Sequence, residues 1–156
     1  MDDVAFARAL HVIAVVHWIG GLSFVTFVLL PLARALTGVQ GAALVELVER
    51  RFVAQVRLSV PLAGATGFWM VYRMNLWSRF HEPAYWWMGT MVALWVVFML
   101  LLFVMEPLLH RIVERRARRQ PQVTLLRMSR LHEALLAGAA ITILGAVAGA
   151  HGLFFP

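Results

Sequence analysis

From Val4 to Leu32 the chain carries one charged residue, Arg8. An apolar run of that length can cross a bilayer, whose hydrocarbon layer takes ~20 helical residues at 1.5 Å each. The run also holds two imidazoles, His11 and His17, within the stretch LHVIAVVHWIGGLSF. An ionisable side chain in a spanning helix is costly in lipid. By default it faces the interior of a bundle and marks an ion, proton or cofactor site. The plainer alternative is a hydrogen bond to a neighbouring helix.

Composition supports the membrane reading. Of 156 residues 62% are hydrophobic and 14% charged, with a mean hydropathy of +0.78. These values belong to an integral membrane protein with short loops rather than to an ordinary soluble domain. The first run is too long for a signal core and no basic segment precedes it, so no cleaved leader is expected. Cysteine is absent, which excludes disulfides, thiolate metal sites and covalently attached c-type haem. All fourteen basic residues are Arg, so lysine-base and Schiff-base chemistry is excluded too. Despite a net charge of +6, no nucleic-acid partner is expected, because most of the Arg flank apolar runs.

The pattern predicts a single all-α domain over 1–156, an integral membrane four-helix bundle. Its helices fall at about 4–30, 53–77, 85–109 and 131–155, the first ended by Pro31. An interfacial or extended helical stretch from Ala33 to Arg57 leads into the second span. An Arg-rich connector, HRIVERRARRQPQ, breaks at Pro121 before the fourth. The first and third connections hold eleven Arg against three on the other side, which places both termini outside and the Arg-rich loops inside. Trp69, Tyr72, Trp77, Tyr85, Trp86 and Trp87 read as an aromatic belt at the outer interface.

In that topology His11 lies ~10 Å and His151 ~5 Å inside the outer face, on helices expected to be neighbours. Two imidazoles across such a gap suit the iron of a b-type haem. Arg8 and Arg73 fall at the outer level and are candidates for its propionates, or are plain snorkelling residues. His17 sits ~9 Å deeper and ~120° round from His11, so it takes a supporting or second-site role, with Gly20 and Gly21 opening a hollow beside it. Gly138, Thr142, Gly145, Gly149 and Gly152 form a smooth strip, read as a close helix contact. At the inner end Arg57, Glu106, His110, His132 and Glu133 form a second polar group. It reads as a proton-conducting or quinone-head site, as a second haem on His110 and His132, or simply as polar residues collected at helix ends. Met70, Met74, Met88, Met91, Met99 and Met105 offer soft metal ligands on no common face, or apolar filler.

Ala9-Leu10-His11-Val12-Ile13, Val15-Val16, Trp18, Gly21-Leu22 and Phe24 resemble the first helix of HemJ-type and CopD-type bacterial membrane proteins. That resemblance covers about sixteen residues and implies a multi-pass protein of the bacterial inner membrane. In the HemJ-like branch it puts His11 at the haem-ligand position and links the protein to protoporphyrinogen oxidation. In the CopD branch it implies copper handling. This chain lacks the Lys on which the first branch relies. His17-Trp18 is similar to the opening of small di-haem cytochromes b, which also need a His in the second helix, and here there is none. The expectation is a haem b protein for transmembrane electron transfer, alone or as an oxidoreductase subunit of a larger complex. Its partners would be a quinone or a redox protein, or further copies of itself. The alternatives are a copper-handling or transport protein and a cofactor-free structural subunit.

Overall fold

The computed structural model describes residues 2–152, apart from the side chains at positions 38, 110, 111, 114 and 118. Among the described residues there are four long helical rods and no strand. The first, α1, spans Asp2–Ala35. Pro31 does not end it, contrary to the sequence expectation. A proline ring collides with the carbonyl four residues back and has no N–H to give. The helix meets both problems with a π-turn at Val25–Leu29, just ahead of the proline. The same device recurs in α3, which runs over 86–119 with a π-turn at Leu101–Met105 just before Pro107.

The expected interfacial stretch and second span are one helix, α2, Gly38–Arg73, with Pro61 inside it. At 36 residues it is ~54 Å long, well beyond a ~30 Å hydrocarbon layer. It stops at a turn in which the Leu76 amide donates to the Val71 carbonyl at 3.0 Å. Asn75 there adopts φ 52°, the left-handed region that Asn tolerates best after Gly. Two short 3-10 turns, Trp77–His81 and Pro83–Tyr85, lead into α3. The Arg-rich connector is helical as far as Arg119. Arg is a good helix former, so charge alone does not end the helix. The break comes at Gln120, and Pro121 opens the last helix, α4, Pro121–Ala150. Beyond its C-cap His151 the chain turns at Gly152, whose φ of +79° is one that residues with a side chain rarely adopt. Residues 153–155 of the expected fourth span lie outside the described residues.

Three of the rods are long and apolar enough to cross a membrane: α1, α3 as far as Leu109 together with the Pro83–Tyr85 turn before it, and α4. Large apolar side chains such as Phe6, Ile13, Val16, Phe27, Ile141 and Leu144 stand exposed on them, as lipid contact requires and water does not favour. By contrast, the longest uncharged stretch of α2 is Leu58 to Tyr72, shorter than the ~20 residues of a typical span, with Arg57 and Arg73 at its ends.

Helix α1 packs most extensively on α2, and α3 on α4. A central core gathers Ala14, Trp18, Leu22, Val56, Val60, Ala63, Phe98 and Leu102. A second core, toward the Arg-rich end, joins Val25, Leu29, Leu30 and Ala33 to Val45 and Leu125. Trp86 and Trp87 do not simply belong to an outward belt. A Cβ on Gly145 would meet the Trp86 ring, and one on Gly149 the Trp87 ring. The smooth strip of α4 is therefore the seat of two indoles, and Trp87 is buried.

Candidate functional site

His11 is turned toward α2. Its Nδ1 lies 2.8 Å from the Ala63 carbonyl oxygen and 3.3 Å from Thr66 Oγ1, and its ring edge rests against Gly67. A carbonyl has no proton to give, so Nδ1 is the protonated nitrogen and Nε2 keeps its lone pair. A metal-ligating histidine uses this arrangement, with the backbone bond fixing tautomer and ring orientation. Thr66 itself donates to the Leu62 carbonyl at 2.7 Å. Beside this contact a cleft of about 390 Å³ opens between α1 and α2, lined by Asp3, Phe6, Ala7, Leu10, Ala65, Thr66 and Trp69.

His151 forms the C-cap of α4, exposed, with its Nδ1 donating to Val147 O of its own helix at 2.8 Å. The helix register separates it from His11. Gly67 meets His11, Gly64 meets Trp95, and Gly138 lies opposite Leu94. His11 therefore stands level with about residue 140 of α4. His151 lies some eleven residues further out, ~16 Å along the axis. Two nitrogens on one iron lie ~4 Å apart, twice a metal–nitrogen bond. The structure does not bring the two histidines together. His17 is exposed on the outer face of α1, while its neighbour Trp18 turns inward, edge-on to Phe98 at 4.6 Å. The hollow expected beside it is half filled, since a Cβ on Gly21 would strike the Phe52 ring. Arg73 is paired with Asp3, Nε to Oδ2 at 2.6 Å, which ties the start of α1 to the end of α2. Arg8 is exposed.

At the Arg-rich end, helices α2, α3 and α4 do bring polar groups together. Arg57 Nη2 donates to Glu106 Oε2 at 2.6 Å. His132 donates from Nδ1 to Met128 O at 2.9 Å, which leaves Nε2 facing Glu49 Oε1 at 4.0 Å. The nitrogen that a second haem would need is thus turned onto a carboxylate. Glu133 is exposed, and the side chain of His110 lies outside the described residues. Sequence reading passed over Glu49, which looked like one more charge on an interfacial helix. Its helix phase relative to α4 was the missing signal. Glu49 lies outside the uncharged part of α2, and burial, with the nearby Glu106 carboxylate, pushes its pKa up to about 7. Among the described residues, no three His, Asp or Glu side chains converge as a metal site.

No family model, curated protein or solved structure matches this chain.

Proposed function

We propose that this is a four-span protein of the bacterial inner membrane with both termini outside, α2 crossing through Leu58–Tyr72 with Arg57 and Arg73 reaching to the two interfaces, and that it binds haem b through His11 and serves electron transfer. One observation carries the reading: the His11 ring is fixed by α2 through Nδ1, with the Nε2 lone pair left for a metal. The residues fit ligation by one imidazole per chain. They do not fit a clasp by His11 and His151, given the separation of about eleven residues between their levels. The haem would supply a one-electron carrier. The chain's own part is to hold the ligand ring in one tautomer and to wall the adjoining cleft with Phe6, Leu10 and Trp69. Arg73 is engaged by Asp3, so a propionate would have to compete with that carboxylate.

An absorption spectrum of protein purified from haem-replete cells tests the reading. Wild type should show the Soret and α bands of b-type haem, and His11→Ala should lose them. The His17→Ala and His151→Ala variants should keep them. Colourless wild-type protein, or haem retained in His11→Ala, overturns the proposal.

A further inference from the structure

The cluster at the Arg-rich end has a chemical property that follows from its hydrogen bonding. Because Met128 O can only accept, His132 carries a proton on Nδ1 and directs a lone pair from Nε2 toward Glu49 Oε1, 4.0 Å away. An ionised carboxylate facing that lone pair is repelled by it. A proton carried by the carboxyl and offered to the imidazole lone pair resolves the conflict, and at 4.0 Å a single water can bridge the two. The surroundings reinforce this demand. From α3, Glu106 stands close enough to disfavour a second negative charge, and its own charge is held by Arg57 of α2. The first helix offers the adjoining core only Val25, Leu29, Leu30 and Ala33. On α4, Arg127, Arg130 and Glu133 are exposed.

The pair is also reachable from one side. A cleft of about 280 Å³ between the start of α2, the end of α3 and the start of α4 has Glu46 and Glu49 in its wall, with Val113, Pro121, Leu125 and Met128. Glu49 keeps 28% of its side chain exposed. Water in this cleft would join Glu49 to the solution on the Arg-rich face.

We propose that Glu49 and His132 form a proton-binding site that holds one proton between them and exchanges it with the Arg-rich side through this cleft. The site needs no haem and stands apart from the His11 proposal.

Infrared difference spectra of the full chain in lipid nanodiscs, taken from about pH 5 to about pH 9, read the proton directly. The carbonyl stretch of a protonated carboxyl should fade around neutrality in wild type and be missing in Glu49→Gln. In Glu106→Gln the repelling charge is gone and Arg57 is released, so the band should fade at lower pH. With His132→Gln the midpoint should move, since the proton has lost its second holder. No such band, a band that survives in folded Glu49→Gln, or a midpoint in the ordinary carboxylate range overturns the proposal. An unmoved midpoint in His132→Gln overturns the sharing. Should Glu49→Gln fail to fold, the Glu106→Gln shift decides, and its absence counts against the site.

Discussion

Gly64 is where the packing of α2 against α3 can be tested most sharply. A Cβ there would sit 2.4 Å from Cε2 and Nε1 of Trp95, far inside contact distance. The indole cannot yield freely, because its Nε1 donates to Val60 O at 2.9 Å and its ring stands edge-on to Phe68 at 5.7 Å. In Gly64→Ala the ring must shift and the hydrogen bond must lengthen or break. Overpacking costs ~1–3 kcal/mol, and a partly buried donor left without its acceptor costs ~1–3 kcal/mol more. Alanine's better helix propensity returns at most ~1 kcal/mol. The balance is a loss of about 3 kcal/mol. Gly20→Ala is the control, since nothing lies within 4 Å of its Cβ and no loss is expected there. Reversible unfolding in mixed micelles, followed by helical circular dichroism and Trp fluorescence, measures both. Equal midpoints for the two variants, or a more stable Gly64→Ala, would refute the argument that the backbone approach at Gly64 is set by the Trp95 ring.

Other expectations follow from the same geometry. On the haem proposal, Gly67→Ala, which places a Cβ 3.3 Å from His11 Cε1, should perturb the spectrum or lower the haem content, while Gly20→Ala leaves both unchanged. Glu49 carries a folded-state pKa of about 7 against an ordinary 4.5, so the folded state binds the extra proton. Stability should therefore be full below about pH 4.5 and be lost as pH rises from there through about 7, by up to ~3 kcal/mol in all. Glu49→Gln should remove that slope from the denaturation midpoint. A topology reporter inserted at Gln120 should be active in the cytoplasm and one placed after Gly152 outside it, and the reverse pattern would overturn the assignment of sides. Asp3→Asn should leave the unfolding midpoint unchanged, because the ion pair it breaks with Arg73 is solvent-exposed on both sides.

Much of the scaffold was legible in the residues alone. Three of the long apolar helices, the Arg-rich face and the smooth strip of α4 are properties of one segment at a time. Hydrophobic length and small-residue spacing state them without reference to a neighbour. The boundaries were less legible. Pro31 read as a stop, yet it sits inside a continuous rod, since a π-turn ahead of it absorbs the steric conflict, as another does ahead of Pro107. Gly152 was counted into the strip although it lies beyond the helix, in the turn that follows its C-cap.

What only the tertiary structure decided is the rotation of each helix about its axis and its register along its neighbours. Nothing within a helix states either quantity, because both are set by the side chains that interlock between helices. Here the interlocking pairs are Gly64 with Trp95, Gly145 with Trp86 and Gly149 with Trp87. That register turns His11 onto the Ala63 carbonyl and leaves His151 ~16 Å away along the axis. It also carries Glu49, a residue its own helix marks as ordinary, to the imidazole of His132.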